Sequence, residues 1–321
     1  MTTRPPFVSV VIPSFNHARY LTNAIESVLT QRGAELELII VDDGSTDDSW
    51  DLIQKASEAD GRVVALRQEN QGAHAAINRG LAAARGDYLA ILNSDDIYEE
   101  ERIVTLLDRA RTGAGKDFLF TLVTLIDSEG APIEDHPWLD EYTALCLKAR
   151  DFGVLQALLE RNLSVSTSNF FFSRSLYDAI GGFRPFRYTM DWDYALRAIL
   201  RAQERVVWLP DQALLRYRLH GSNTILGGLP RSALEANHLL YRTLRHHYQV
   251  PPATIHALRR HHRLIRRQQA ATLARARDTH WEGPAQRHAP AMGESRAQLA
   301  ERGTRLAARG TRLARHKTRS R

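Results

Sequence analysis

The first hundred residues alternate short apolar runs with stretches whose apolar side chains recur at helical spacing. The first run is FVSVVI, residues 7–12, and the helical pattern that follows it extends from His17 to about Gln31. Parallel strands joined by crossover helices have this order, because each strand must be followed by a segment that returns to the starting edge of the sheet. The order therefore predicts an α/β fold with a mostly parallel central sheet.

Later segments continue the pattern with less regularity. Strands are predicted at 35–43, 62–68, 87–93 and 117–126, and helices at 73–85, 99–112 and 191–202. The stretches VVWLP and ALLRYRL, which begin at Val206 and Ala213, are predicted to be two further strands. Residues 131–165 are interrupted by prolines, and the pattern assigns only a helix near 154–161 within them.

Composition limits the classes of protein to which the chain can belong. With 321 residues, of which 43% are hydrophobic, the chain can bury a full core. Cys146 is its single cysteine, which excludes an intramolecular disulfide and fits a reducing compartment. Prolines bracket the first apolar run, which predicts a strand rather than a signal peptide, and no apolar segment approaches the roughly 18 to 20 residues that span a bilayer. We therefore expect a cytoplasmic location, with any membrane contact peripheral and at the inner face.

Charge is distributed unevenly along the chain. Residues 251–321 carry 17 Lys and Arg against 4 Asp and Glu, whereas residues 1–250 carry 26 against 33. This division predicts a body over residues 1–228, a helical extension over 229–279 and a basic tail over 280–321. The tail is either a solvated, loosely ordered arm or a contact for an anionic membrane or an acidic partner. We expect no nucleic acid partner, because neither a binding motif nor interleaved aromatic residues accompany the charge.

Acidic pairs stand at predicted strand ends or helix starts in three places: Asp42 with Asp43, Asp95 with Asp96, and Asp191 with Asp193. A single pair of this kind is more often a helix cap or a solvated loop. Three pairs at one edge of a parallel sheet indicate a ligand site, since ligands bind beyond the carboxyl ends of the strands. Adjacent carboxylates repel each other, so they need solvent, a helix cap or a cation to be tolerated.

Four motifs occur in an order that is characteristic of one enzyme family. They are VSVVIPSFNHARYLTNAIESVLTQ, ELIIVDDGSTDDS, NQGAHAAINRGLAAARGDYLAILNSDD and GGFRPFRYTMDWDYALR. Together, over about residues 7–223, they resemble the glycosyltransferase family 2 enzymes of the GT-A fold. The resemblance implies that residues 1–228 are a GT-A catalytic domain that uses a nucleotide-sugar donor and a divalent metal.

The same resemblance assigns the donor site. In such enzymes, the end of the first strand and an Asp after the second strand hold the nucleotide base. Here these positions are the backbone near Pro13 and Ser14 and the side chain of Asp43, whose carboxylate suits a uracil imide N–H. Asp42 is expected to brace the loop instead.

The segment NSDD resembles the metal motif of the family, which usually has two Asp separated by one residue, but Asn93 stands here at the first Asp position. The resemblance therefore makes Asp95 the ligand of Mg²⁺ or Mn²⁺, which take oxygen ligands from carboxylates and from the substrate's phosphates. Asp96 either helps through a water molecule or orients the loop. His220, in RYRLHGSNT, resembles a family histidine near the diphosphate and is the second metal candidate.

The segment TMDWD resembles the segment that supplies the catalytic base in inverting members of the family. Asp191 takes that role, with Met190 where many relatives have Glu. Asp193 is expected to pair with Arg197 at i,i+4. Trp192 either stacks on a sugar ring or belongs to the core.

Three further residues are candidate acceptor or phosphate contacts. Arg218 and Ser222 offer phosphate-binding groups, and Gly182 either lets the backbone approach a ligand or forms a turn. The QxxRW signature of the processive polymerases of this superfamily is absent from the sequence. One sugar per encounter is therefore the expected mode.

The function predicted from these residues is metal-dependent, inverting transfer of a sugar from a nucleotide diphosphate sugar, with a UDP-sugar favoured, to a hydroxyl of a glycan or glycolipid, as in cell-surface polysaccharide biosynthesis. One alternative is a catalytically degenerate binding or scaffold protein, to which the departures at Asn93 and Met190 point. Another is a sugar nucleotidyltransferase, which would ordinarily carry a Gly-rich loop with Lys or Arg after the first strand. The segment PSFNHARY is not such a loop.

Overall fold

The computed structural model describes residues 6–112, 115–221, 235, 236, 238–240, 242 and 243. The basic tail predicted over 280–321 lies outside these residues, as does most of the helical extension predicted over 229–279. No helix within the described ranges is long and apolar enough to cross a membrane.

The predicted alternation of strands and helices is confirmed in the first part of the chain. The elements are β1 (Phe7–Ser14), α1 (Ala18–Leu29), β2 (Glu35–Asp42), α2 (Ser49–Ala59), β3 (Val63–Arg67), α3 (Ala73–Ala83) and β4 (Tyr88–Ile91).

The second part of the chain is less regular. Its elements are β5 (Ile97–Tyr98), α4 (Arg102–Arg111), β6 (Phe118–Ile126), α5 (Pro137–Phe152), α6 (Val154–Glu160), β7 (Phe171–Ser173), α7 (Arg174–Ile180), α8 (Met190–Ala202) and β8 (Val206–Arg218), with short 3₁₀ turns at Thr167–Asn169 and Gln203–Arg205.

The eight strands of the described residues form one sheet in the order β3-β2-β1-β4-β7-β6-β8-β5. Strands β3, β2, β1 and β4 are parallel, and β7 is antiparallel to both of its neighbours. Strand β8 runs parallel to β6, and β5 closes the edge as an antiparallel partner of β8. The carboxyl ends of β1, β2 and β4 therefore meet at one edge, where the predicted site residues follow them.

The core lies on both faces of the parallel strands. Val8 and the run from Val10 to Ile12 in β1 are fully buried, as expected for a central strand that is covered by helices on both sides. Helix α1 contributes Leu21, Ile25 and Val28 to this core, and each such burial stabilises the fold by about 1.5–3 kcal/mol. Helix α3 packs so closely on β1 that a Cβ at Gly80 would lie 2.3 Å from a methyl carbon of Val11.

Two expectations for the second part of the chain need correction. The stretches VVWLP and ALLRYRL form the single strand β8, which continues past Pro210 through a β-bulge where the register against β6 shifts. A bulge tolerates proline because the extra residues do not take part in the ladder hydrogen bonds. The segment 131–165 also contains the long helix α5, which the sequence pattern did not predict.

Candidate active site

The turn after β1 and the turn after β2 are joined by their backbones. Ser14 ends β1, and its carbonyl oxygen accepts a hydrogen bond of 2.8 Å from the N–H of Asp43. Pro13 and Ser14 are both buried, whereas Phe15, directly after them, is 43% exposed. The predicted base-binding residues thus lie side by side at the edge of the sheet.

Asp43 holds the loop that leads into α3. Its side chain is buried and accepts hydrogen bonds from the Nε2 of Gln68 at 2.8 Å and from the N–H groups of Gln71 and Gly72 at 2.9 and 2.8 Å. The neighbouring carboxylate of Asp42 accepts from the N–H of Ser45 and pairs with Arg67, which agrees with a loop-bracing role. The role of Asp43 in binding a base remains a prediction.

Asp96 orients the loop that follows β4. It is 1% exposed, and its carboxyl group accepts hydrogen bonds from the N–H of Arg218 at 2.9 Å and from the Oγ of Ser168 at 2.5 Å. Burial, reinforced by the negative charge of Asp95, raises the pKa of Asp96 well above its usual range. The raised pKa of Asp96 disfavours a second negative charge beside Asp95, which reduces the repulsion between the two adjacent carboxyl groups.

Asp95 is held in its ionised form beside two histidines. Its Oδ2 lies 2.9 Å from the Nε2 of His220. Burial alone would raise the pKa of Asp95, but the hydrogen bond from His220 and the charges of His17 and His220 outweigh it and lower the pKa. One ligand atom from each of these three residues lies within 4.8 Å of the other two, so they form a group that could hold a metal ion.

Arg218 braces the loop over residues 93–96 from inside the protein; we call this segment the metal loop after the predicted role of Asp95. Its side chain is 1% exposed, and its guanidinium donates to the carbonyl oxygens of Asp95 at 2.7 Å, Asp127 at 2.9 Å and Ser128 at 3.2 Å. These bonds give Arg218 a structural role in the loop, and its predicted contact with a phosphate stays a prediction. Ser222, the other predicted phosphate contact, lies outside the described residues.

Asp191 lies in the first turn of α8 and has a shifted pKa. Its Oδ2 accepts a hydrogen bond of 2.9 Å from the Nδ2 of Asn162, and its Oδ1 accepts one of 2.7 Å from the N–H of Trp192. Burial raises the pKa of Asp191 to about 7, despite these two hydrogen bonds. A carboxyl group with a pKa near neutrality can accept a proton from a hydroxyl and can also be protonated at physiological pH.

The other residues of the same helical turn have structural roles. Asp193 pairs with Arg197 at 2.8 Å, as the sequence predicts, and also with Arg184 at 3.1 Å. Trp192 is 2% exposed, and its indole N–H donates to the carbonyl oxygen of Leu158 at 2.6 Å. The structure therefore places Trp192 in the core, where it cannot stack on a sugar ring.

Gly182 is required by packing within the chain. A Cβ at this position would lie 2.4 Å from the Oδ1 of Asn78. The side chain of Asn78 bonds both the N–H and the carbonyl oxygen of Phe183, at 2.7 and 2.8 Å. Asn78, and not a ligand, thus makes the close approach at Gly182. Of the two predicted roles, the turn describes Gly182 better than the ligand contact.

A comparison with protein families identifies the group to which these motifs belong. The profile described as Glycosyl transferase family 2 matches residues 9–194, which include both Asp95 and Asp191. The chain belongs to glycosyl transferase family 2.

Several curated proteins match part of this chain. An uncharacterized glycosyltransferase of Nostoc sp. is 42% identical over 106 residues, which are 33% of this chain and 33% of the relative. TuaG of Bacillus subtilis, named as a candidate teichuronic acid biosynthesis glycosyltransferase, is 35% identical over 166 residues, covering 50% of this chain and 65% of TuaG. Chondroitin synthase of Escherichia coli is 36% identical over 127 residues, 40% of this chain and 18% of the synthase. The chain thus matches less than two thirds of the length of each of these relatives.

Solved structures confirm the predicted GT-A fold of this family 2 chain. The mannosyltransferase PcManGT from Pyrobaculum calidifontis, in complex with GDP-Man and Mn²⁺, has a TM-score of 0.59 at 18% identity and covers 98% of this chain and 81% of its own. TarS 1–349 of S. aureus, in complex with UDP-GlcNAc, has a TM-score of 0.57 at 18% identity, with 77% and 69% covered. At these identities, the likeness establishes a shared fold.

His17 is the residue of this family 2 site that sequence reasoning missed. It lies in the turn between β1 and α1, and its Nδ1 is 2.8 Å from the Oγ of Ser94 in the metal loop. A lone histidine is more often structural than ligating, so its residue type gave no signal. Its position did give one, because His17 follows the carboxyl end of a parallel strand, as Asp43 and Asp95 do.

A polar segment of the family 2 domain, residues 162–169, joins the metal loop to Asp191. At one end, Asn162 donates to Asp191. At the other end, Thr167 donates to the Oδ1 of Asn93 at 2.8 Å, and Ser168 donates to Asp96. Between them, Val165 has a φ of +71°, which is strained for a β-branched residue. Strain of this kind persists only where the surrounding contacts impose it.

Proposed function

We propose that the protein is a metal-dependent, inverting glycosyltransferase that moves a sugar from a nucleoside diphosphate sugar to a hydroxyl of a glycan or glycolipid. The observation that carries the proposal is the placement of two carboxyl groups within the family 2 match: Asp95 lies 2.9 Å from the imidazole of His220, and Asp191 is oriented by Asn162 at the start of α8. Their pKa values are shifted in opposite directions, since that of Asp95 is lowered and that of Asp191 is raised to about 7. Pairs of titratable groups whose environments push their pKa values apart are typical of sites that assign them different roles.

Asp95 and His220 would hold the divalent ion. A carboxylate kept ionised, next to an imidazole at 2.9 Å, is a suitable donor set for Mn²⁺ and a less suitable one for Mg²⁺. When bound, such an ion neutralises the charge that develops on a departing nucleoside diphosphate. Asp96 and Arg218 keep the loop in place from inside the protein, through the hydrogen bonds between them and to the backbone of Asp95.

Asp191 would be the general base. In a direct displacement, the acceptor oxygen forms a bond to the anomeric carbon from the face opposite the diphosphate, the bond to the diphosphate oxygen breaks, and the configuration inverts. The hydroxyl proton passes to a carboxylate oxygen of Asp191. Asn162 and the N–H of Trp192 hold this carboxylate by one oxygen each, so its orientation is fixed before an acceptor arrives.

The donor is proposed to be a UDP-sugar, with Asp43 and the backbone at Pro13 and Ser14 around the base. TarS and PcManGT have the same fold, and their structures contain UDP-GlcNAc in one case and GDP-Man with Mn²⁺ in the other. TuaG and chondroitin synthase carry names from polysaccharide biosynthesis, which supports a glycan acceptor. A peripheral membrane contact of the tail over 280–321 and a cytoplasmic location remain predictions.

The first test is thermal unfolding with UDP, GDP, CDP and TDP, each with and without Mn²⁺. A ligand at about a hundred times its Kd stabilises a protein by roughly 2.7 kcal/mol, which is several degrees for a domain of this size. We expect UDP to stabilise the protein only with Mn²⁺, and Asp95→Ala to abolish the effect. If no nucleotide shifts the midpoint under any metal condition, the scaffold alternative is favoured.

Catalysis is tested separately from binding. Asp191→Asn should retain the Mn²⁺-dependent shift with UDP and lose sugar transfer and donor hydrolysis. Equal loss of nucleotide binding and of transfer would show that Asp191 is not the base. A sugar nucleotidyltransferase would instead join a nucleoside triphosphate to a sugar phosphate and release diphosphate, so a diphosphate-release assay with those substrates separates the two enzyme classes.

A further inference from the structure

The metal loop has Asn93 where the family motif usually has an Asp, and a histidine outside the motif, His17, lies beside it. Asn93 carries no charge, and its Oδ1 is taken by the hydroxyl of Thr167 at 2.8 Å. His17 contacts the same loop, with its Nδ1 2.8 Å from the Oγ of Ser94. Compared with the usual motif, the side chains around Asp95 therefore offer one fewer carboxylate oxygen and one more imidazole nitrogen to a metal ion.

The two imidazoles are held in fixed positions around Asp95. The ring centroids of His17 and His220 are 5.7 Å apart, and the rings meet edge to face at 85°. Tyr20, which is 8% exposed, packs against both, with centroid distances of 6.1 Å to His17 and 4.9 Å to His220. Packing of this kind positions both rings before any ligand is bound, which lowers the cost of binding.

The contact between His17 and Ser94 is of the kind that supports a metal-binding histidine. Ligating histidines almost always use their second ring nitrogen in a hydrogen bond, which fixes the ring orientation and decides which nitrogen carries the free lone pair. Ser94 is 2% exposed and lies next to Asp95 in the chain, so its hydroxyl ties the ring of His17 to the backbone of the metal loop.

We propose that His17 is a third protein ligand of the divalent ion, and that two imidazoles with one carboxylate make this centre select transition metals over Mg²⁺. The inference rests on the proposed function because it concerns the same ion, and its evidence is the set of contacts that His17 makes in this chain. Imidazole suits transition metals, whereas Mg²⁺ takes oxygen ligands, and affinity for nitrogen-containing sites rises from Mn²⁺ to Co²⁺. The expected order of affinity is Co²⁺, then Mn²⁺, then Mg²⁺.

The test measures metal binding by the full-length protein without nucleotide. Mn²⁺ is titrated and the free ion is followed by electron paramagnetic resonance, with Co²⁺ and Mg²⁺ as competitors. Pulsed measurements on the bound Mn²⁺ then detect coupling to imidazole nitrogen. We expect coupling to two imidazoles in the wild type and to one in His17→Ala, with Mn²⁺ affinity lowered about tenfold or more and Mg²⁺ affinity nearly unchanged.

Two further variants separate ligation from a structural role. His17→Gln keeps a polar group near Ser94 but has no imidazole, so it should behave like His17→Ala in metal selectivity and nitrogen coupling. His74→Ala, which removes a histidine outside the cluster, should leave both unchanged. Thermal unfolding without metal checks that each variant is folded.

The proposal is overturned if the wild type binds Mn²⁺ with one coupled imidazole or none, if it binds no Mn²⁺ without nucleotide, or if His17→Gln restores wild-type affinity. Failure of the proposed function would look different. In that case the wild type would bind Mn²⁺ through two imidazoles and would still neither transfer nor hydrolyse any nucleotide sugar.

Discussion

Replacing Asp191 by Asn should stabilise the protein above neutral pH and have little effect in acid. The side chain of Asp191 has a reference pKa of 3.8 and a folded-state pKa of about 7. Between these two values, the folded protein keeps a proton that the unfolded chain has released. The stability that this proton contributes is fully present below the unfolded pKa and is lost as the pH rises through the folded pKa.

The size of the stability gain follows from the difference between the folded-state and reference pKa values of Asp191. A shift of roughly three pKa units at about 1.36 kcal/mol each corresponds to about 4 kcal/mol at pH 8. Part of the Asp191 side chain is exposed and an asparagine would lose some of the carboxylate's hydrogen-bond strength, so we expect a measured gain of about 2 kcal/mol. For a folded domain of this size, that is about 4–8 °C in Tm.

The assay is thermal unfolding of wild type and Asp191→Asn at several pH values from 4 to 9, without metal or nucleotide. The difference in Tm should be near zero below about pH 4 and should grow through pH 7. The matched control is Asp193→Asn, two residues along the same helix. Asp193 is 1% exposed and pairs with Arg184 and Arg197, so its loss should destabilise the protein by about 3 kcal/mol. A pH-independent difference, or an Asp191→Asn variant that is less stable than wild type at pH 8, would refute the reasoning.

Three other predictions concern neighbouring contacts. The transfer rate should fall below about pH 7, and Asn162→Ala should move this limb to higher pH, since Asn162 stabilises the ionised form of Asp191; a pH profile of kcat tests both. Val165→Gly should destabilise the protein in urea less than Val165→Ala does, although it removes more of the side chain, because glycine adopts φ +71° without strain; a larger loss for Gly than for Ala would contradict that account. Gly182→Ala should destabilise the protein, and less so in an Asn78→Ala background, where the clashing oxygen is gone; equal losses in the two backgrounds would show that the clash is not the cause.

The first half of the fold could be predicted because its strands are buried on both faces. Continuous apolar runs such as that of β1 stand out against the helical period of α1. Helix α5 gave no such signal, because Tyr142, Leu145 and Ala149 face the core while Leu147 and Phe152 are 55% and 71% exposed. Apolar residues on both sides of a helix blur the periodicity that reveals it.

The site could be predicted where a residue of a metal-binding or ligand-binding type directly follows the end of a strand. Asp95 and His220 are 125 residues apart in sequence, and the resemblance to a family brought them together. His17 could not be assigned from the sequence, since only the folded structure shows that a ring nitrogen lies within 4.8 Å of a carboxylate oxygen of Asp95. Trp192 and Arg218 have residue types that are common in binding sites, but burial decides their roles, and burial is not readable from type alone.

The contacts that Asp95 and Asp96 make with residues at and after the end of β8 have a consequence for biosynthesis. The loop that carries Asp95 is completed by the backbone of Arg218 and by His220, which leave the ribosome 122 and 125 residues later than the carboxylates that they contact. At roughly 5 to 20 residues per second, that interval is about 6 to 25 s. During this time β1 to β4 can already be paired, while the nascent chain still lacks two of the groups that shape its metal loop. The parallel half of the sheet can therefore form before the groups that complete this loop have been made, and a product that terminates before residue 218 would lack both of them.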